Sequence, residues 1–235
     1  MLEANHENFR TVLERRGAYA KSLSDHVWFP RFFDESTVDG VAIETVEVGR
    51  LPVPSGRIVL ADPFHFTAEF TQPLRRRVPP GDYPVVVAFA DLHTWGRRVA
   101  YARLRFSAAQ IVSWELAEST DASELNVFIG VDSGMVCFAD LDAAHILSRA
   151  RKEFVLRRPD GNYYDDVLAR DIPADANWGE HRPDPGSSLS VILTSSGLGD
   201  GVYFAYWGLD ENGVPAELVV DFQLFDKNGS VCRSN

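Results

Sequence analysis

The chain has 235 residues, 45% of them hydrophobic, and a formal net charge of −11. At that length a fold buries about 70–75% of the surface that the unfolded chain exposes, so disulfides are not required, and an acidic excess of this size opposes the basic field on which nucleic-acid binding relies. No apolar run approaches the ~20 residues of a membrane-spanning helix, and the opening "MLEANHENFRTVLERRG" is too charged for a secretion signal, which points to a cytoplasmic protein with neither a nucleic-acid nor a membrane partner.

Cys137 and Cys232 stand without CxxC or Cys/His spacing, so both are expected as free thiols and no zinc site is written here. Over residues 5–20, Phe9, Val12 and Leu13 fall at helical spacing before Gly17. "DHVWFPRFFDES" follows, dense in aromatics, and is expected to pack its rings on the body of the protein. From Val41 the pattern becomes short strands. "VAIETVEV" alternates, "RIVLAD" ends in the turn pair Asp62-Pro63, and "PPGDYPVVVAFADL" feeds a strand that is apolar on both faces and therefore central. In "RRVAYARLRF", Ala100, Ala102, Leu104 and Phe106 belong to the core, while Val99, Tyr101, Arg103 and Arg105 are assigned to water or a ligand.

Strands are predicted at 111–116, 127–132 and 135–139, the last two joined by "DSG" as a hairpin. "DLDAAHILSRARKEF" then reads as a helix with Asp140 at its N-cap and Ala144, Ile146 and Leu147 as its apolar stripe. "RRPDGNYYDD" and "IPADANWGEHRPDPGSS" read as loops. "LSVILT", "GVYFAYWGLD" and "VPAELVVDFQLF" return to strands, the last two joined by a tight turn at Asn212-Gly213, and Glu217 and Asp221 are expected on an exposed face. The sum is an α+β protein, a β-rich single domain with a large mixed or antiparallel, sandwich-like sheet and a few flanking helices. Residues 1–50 form an N-terminal helix and aromatic segment against the body, and 51–235 form the body.

Chemistry concentrates at two glycine-bearing corners. The stretch around Ser196, Gly197, Gly199, Asp200, Gly201 and Tyr203 has GxGxG spacing, not the dinucleotide fingerprint. Its glycines serve either a tight connection or an anion-binding nest. Asp132-Ser133-Gly134 is not the GxSxG nucleophile elbow, and no base is assignable to Ser133. If 127–139 is a hairpin, Asp132 and Asp140 approach each other and would suit a divalent cation; no other cofactor is predicted. His65, in the turn beside Asp62, is the one histidine retained as a ligand-binding candidate with Asp62 itself. The arginines at 75–77 and at 97, 98, 103 and 105 are read as solvated charges.

Several blocks together, "LPVPSGRIVLADPF", "PPGDYPVVVAFAD", "RVAYARLRFS", "WELA", "GVDSGMVCFAD" and "SSGLGDGVYFAYWGLDENGVPAELVVDF", resemble in order the bacterial domain-of-unknown-function family 4241 over about 51–222. Its pattern matches at Ser55, Gly56, Asp62, Pro63, Asp132, Gly134, Asp140, Ser196, Gly197, Gly199, Asp200, Gly201, Tyr203, Gly208, Asp221 and Phe222, and departs at Leu198, where similar sequences carry tryptophan. The resemblance implies no activity. Two readings follow: a non-catalytic binding protein, of the toxin-immunity type, engaging a basic protein partner, or a hydrolase or small-ligand and anion-binding protein with its site at the 132–134 and 196–201 loops. The second requires that those loops converge.

Overall fold

The computed structural model describes residues 18, 29–64, 72–120, 127–173, 175–226 and 230–232. Of the helix expected over 5–20, only Ala18 is among them, and His65 lies outside them. Two antiparallel sheets organise the chain. The larger runs β1 (Thr37–Val38), β2 (Val41–Val53), β4 (Gly81–Asp91), β5 (Arg97–Arg105), β12 (Pro215–Asp221), β11 (Gly201–Leu209) and β6 (Ser113–Leu116), and β7 (Ile129–Val131) pairs with the start of β11. The smaller runs β3 (Ile58–Ala61), β8 (Met135–Asp140), β10 (Val191–Ser195) and β9 (Trp178–His181).

Their facing sides bury a common core: Leu51, Val85, Val87, Leu104, Trp207 and Leu218 from the large sheet meet Ile58, Val136, Phe138 and Ile192 from the small one. The alternation of apolar and polar residues writes each strand into this core, but two extra residues decide which side chains reach it. At Val48 the register slips between Glu47 and Gly49. The insertion changes the parity of β2, so Val46 and Val48 before it, and Leu51 and Val53 after it, all point inward.

A second slip, between Ala88 and Phe89, sets Val99 inward and Tyr101 outward. The face of β5 assigned to water is therefore covered: Tyr101 is fully buried and Arg103 nearly so. Its cover is aromatic. Phe29, together with Phe32 and Phe33 of the short helix α1 (Arg31–Asp34), lies on the outer side of the large sheet with Phe225. Phe29 stands 4.9 Å from both Trp114 and Tyr206, and Phe32 is 4.4 Å from Tyr101 and 4.7 Å from Phe225 between ring centroids. Burying such rings contributes roughly 1.5–3 kcal/mol each.

The outer side of the small sheet is covered by α2 (Leu141–Arg157), which rests Ala143, Ala144 and Leu147 on Val59, Cys137, Ala139 and Leu193. Asp140 caps this helix as its sequence foretells, accepting the Asp142 N–H at 2.8 Å. Cys137 and Cys232 are both free. Among the described residues no helix is long and apolar enough to cross a membrane. Two stretches expected as loops contain structure: Asn162 caps the short helix α3 (Tyr163–Asp166), and "WGEH" forms β9. The β11–β12 connection closes through Gly213 at φ 73, with the Asp210 carboxylate accepting the Asn212 and Val214 N–H groups at 2.9 Å each.

Glu217 and Asp221 correct the expectation of exposure, because β12 has no open face. Glu217 faces Arg103 at 3.9 Å, and burial raises its carboxyl above the usual range. Asp221, 1% exposed, accepts one N–H, from Gln223 at 2.7 Å, and leaves Oδ2 without a partner. Burial pushes its carboxyl up to about 7, against the opposing pull of the Gln223 N–H. An unfolded aspartate titrates near ~3.9. The native state therefore holds the proton more tightly between these values, and the associated stability is present below about pH 4 and lost as pH rises through 7. Thermal and urea unfolding of Asp221→Asn beside wild type should show their difference moving in the variant's favour by on the order of 4 kcal/mol from pH 4 to pH 8, at ~1.4 kcal/mol per pKa unit; a constant offset would contradict the assignment.

Candidate functional site

Two passages between the sheets lie side by side. Val131, the last residue of β7, pairs with Gly201, and Met135, the first of β8, pairs with Ser195. Residues 132–134 therefore carry the chain from the large sheet to the small, and residues 196–200 carry it back. The predicted hairpin of 127–132 with 135–139 does not form. An Asp-Ser-Gly turn serves a crossover as well as a hairpin, and the partners of β7 and β8 are β11 and β10 instead. The two corners nevertheless touch: the Ser196 N–H donates to the Gly134 carbonyl at 2.9 Å, and a Cβ on Gly134, which has φ 67, would come within 3.8 Å of the Gly199 Cα.

Asp62 fastens the first corner. It is fully buried at the end of β3, and its Oδ2 accepts the N–H groups of Asp132 and Ser133 at 2.8 Å each, while Oδ1 accepts that of Phe64 at 2.7 Å. Hydrogen bonds to an ionised acceptor are about twice as strong as neutral ones. Three of them give a buried carboxylate the partners it needs.

The glycine-rich corner is braced from within. The Tyr203 hydroxyl lies 2.9 Å from the Ser196 carbonyl and 2.6 Å from that of Gly199, and the Ser196 hydroxyl donates to the Gly199 carbonyl at 2.8 Å. Gly197, at φ 55, leaves little room for a side chain: a Cβ would stand 3.0 Å from the Phe222 Cβ and carbonyl oxygen, a contact tight enough to push them apart. These glycines make a tight bend against β12. The Asp200 carboxylate is exposed and takes no hydrogen bond from the turn, and Leu198 is 47% exposed.

Asp140 belongs elsewhere. Its second oxygen accepts the Ser55 N–H at 3.0 Å and the Ser55 hydroxyl at 2.6 Å, and it terminates β8 at the end away from Asp132. The five residue steps of β8, at ~3.4 Å each, put about 17 Å of strand between Asp140 and the corner that holds Asp132, so the pairing proposed for a divalent cation is lost with the hairpin. Among the described residues no group of three or more His, Cys, Asp and Glu side chains could hold a metal ion. Of the arginines read as solvated, Arg75 pairs with Glu118, Arg76 with Glu115 and Arg97 with Glu44, while Arg103 departs from that reading because it is covered by the aromatic segment.

Two clefts open beside the first corner and share Ser133 and Tyr164. One, of about 410 Å³, is lined by Met135, Ile172, Asp175, Asn177 and Ser195; the other, of about 450 Å³, by Phe64, Asp132, Arg151 and Asn162. The Ser133 hydroxyl itself is buried and has no hydrogen-bond partner. Asp175 and Asn177 hold left-handed backbone, φ 64 and 59, a conformation that costs a non-glycine residue free energy and collects at binding sites. Asn162 uses its Oδ1 to cap α3, accepting the Tyr164 N–H at 2.9 Å. The Arg151 guanidinium stands 5.9 Å from the Phe64 ring centre, and the Phe64 and Tyr164 centroids are 6.2 Å apart.

Of the residues foreseen, Asp62, Asp132, Ser133, Gly134, Ser196, Gly197, Gly199, Asp200, Gly201 and Tyr203 gather at these neighbouring corners. Phe64, Arg151, Asn162, Tyr164, Asp175 and Asn177 were not foreseen, and only Asn162, a capping residue before an acidic turn, carried a local signal. His181, whose Nδ1 lies 2.7 Å from Asp171 Oδ2, sits opposite Val191. That is four residues of β10, about 13 Å, from Ser195 at the cleft.

A family model described as a protein of unknown function (DUF4241) matches residues 51–220. No curated protein and no solved structure matches the chain.

Removing the Asp62 carboxylate orphans three amides at once, each costing ~1–3 kcal/mol when left buried and unpaired. Asp62→Ala should lower the stability measured by urea unfolding by about 3–5 kcal/mol, with Asp62→Asn intermediate. A loss below about 1 kcal/mol would show that the corner holds without it.

Proposed function

The chain belongs to the DUF4241 family of proteins of unknown function, and we propose that it is a binding protein for a small polar ligand, which it holds in the paired clefts around Ser133 without carrying out chemistry on it. The observation that carries this reading is Ser133, a residue of both cleft walls whose hydroxyl is buried and unpartnered. Leaving a buried polar atom unsatisfied costs about 1–3 kcal/mol. A ligand oxygen or nitrogen at that point removes the cost.

A hydrolase reading meets two obstacles. The Ser133 N–H, which would help to stabilise an oxyanion, is already committed to Asp62, and the described histidine of the small sheet stands at the far end of β10. The hydroxyl therefore acts as a hydrogen-bonding group, not as a nucleophile. An immunity-type interaction with a basic protein rests on the net charge of −11, a property of the whole surface that singles out no face, and on the aromatic segment, whose Phe29, Phe32 and Phe33 are buried against the large sheet. The clefts, by contrast, fall within the 300–1,000 Å³ range of small-molecule sites.

Ser133→Ala and Ser133→Trp test the reading by thermal shift against free amino acids, monosaccharides and sugar phosphates. The alanine variant should match or slightly exceed wild-type stability, since it deletes an unpaired group. A compound that stabilises wild type by about 2.7 kcal/mol, the gain at ~100 times its dissociation constant, should stabilise Ser133→Ala far less and Ser133→Trp not at all. Equal stabilisation of all three proteins would place binding elsewhere.

A further inference from the structure

Resting on the ligand-binding reading of this corner, we infer that the ligand is a zwitterion of the amino-acid class, its carboxylate held by Arg151, its ammonium by Asp132, and its apolar side chain laid on Phe64 and Tyr164. The argument begins with where Arg151 sits. On α2 the sheet-facing stripe runs through Ala144 and Leu147 to Phe154, which packs edge-on against Tyr163 at 5.3 Å. Arg151 lies four residues after Leu147 and three before Phe154, in that stripe and not among the exposed charges of the helix. Of those exposed charges, Arg157 pairs with Glu153 at 3.0 Å. Among the described residues Arg151 has no ion-pair and no hydrogen-bond partner. A guanidinium carried on the packed side of a helix, over an open cleft and beside an aromatic ring, is placed to receive a planar anion with its paired N–H donors.

The opposite charge is in the same cleft. Asp132 has its backbone pinned by Asp62 at 2.8 Å, while its own carboxylate is exposed and takes no hydrogen bond from the described residues. Asp132 and Arg151 both line the cleft yet make no salt bridge with each other. A ligand bearing one positive and one negative group fills that gap and neutralises both walls. The remaining lining fits such a ligand: Phe64 and Tyr164 offer an apolar surface, and Ser133 supplies the unpaired hydroxyl.

Competing chemistries fit less well. A phosphate ester would bring two negative charges towards Asp132 for a single arginine, within a protein of net charge −11. A neutral sugar offers hydroxyl hydrogen bonds but no opposite charge to either Asp132 or Arg151. A divalent cation would find one carboxylate here, facing a guanidinium.

Isothermal titration of the full chain with L-phenylalanine and L-leucine, and with 3-phenylpropanoate and phenethylamine as single-charge analogues, tests the assignment, with glucose and glucose 6-phosphate representing the other classes. The amino acids should bind and each single-charge analogue should bind at least tenfold more weakly. Arg151→Gln should bring phenylalanine down to the level of phenethylamine, and Asp132→Asn should bring it down to that of phenylpropanoate, both variants keeping the wild-type urea midpoint. Wild-type affinity for amino acids in both variants, or binding of glucose or its phosphate in a Ser133-dependent manner with no response to amino acids, overturns the zwitterion while leaving the cleft as a ligand site. Failure of every compound to bind ends both readings.

Discussion

A carboxylate buried at the end of β3 accepts three backbone N–H groups, and the geometry of the candidate site descends from that arrangement. Asp62 joins the small sheet, to which it belongs by sequence, to the turn through which the chain arrives from the large sheet. Because the bonds are made to main-chain amides, they fix the path of residues 132 and 133 and leave both side chains free for other partners. Asp132 and Ser133 line the clefts as a result. Alanine at 62 could not hold this path, and asparagine would present one acceptor where two are used.

Coverage of the sheets explains why the opening is where it is. The core between the sheets is closed, the outer face of the large sheet lies under Phe29, Phe32, Phe33 and Phe225, and the outer face of the small sheet lies under α2 and Tyr163. The same coverage encloses Arg103, Glu217 and Asp221 on a face that would be wet in an uncovered sheet. At the corner of residues 132–134, the body under α2 ends and the helix carries Arg151 past it. Polar groups there meet a cleft instead of a neighbour.

Much of this was legible in the sequence, for reasons that also mark the limit. Alternating apolar residues announced the strands from Val41 to Asp221, an acid before a 3.6-residue period announced α2 and its cap, and glycine at positive φ announced the corners. Alternation reports which strands exist, not which strands pair. The hairpin of 127–139 was expected because Asp-Ser-Gly is the same turn whether its strands join one sheet or two, and the metal pairing of Asp132 with Asp140 fell with it. β9 was hidden by its setting between Pro173 and Pro183, where "WGEH" is too short for a period to show. Parity predictions failed at β5, where one extra residue turns Tyr101 away from Val99, and exposure predictions failed at Glu217 and Asp221, since burial on both faces depends on the aromatic segment. The loops of the site could be named because each carries its own turn chemistry. Arg151, Tyr164 and Asn177 could not, because what brings them to Ser133 is the packing of α2 and of the residues before β9 on the small sheet.

Amide hydrogen exchange tests the anchoring role of Asp62 most directly. The N–H groups of Asp132 and Ser133 lie in a turn beside an open cleft, where unbonded amides exchange freely. If the buried carboxylate holds them, both should exchange as slowly as the strand amides of β8 and β10. Exchange of these two amides at the rate of an unprotected loop, with the strands still protected, would contradict the account.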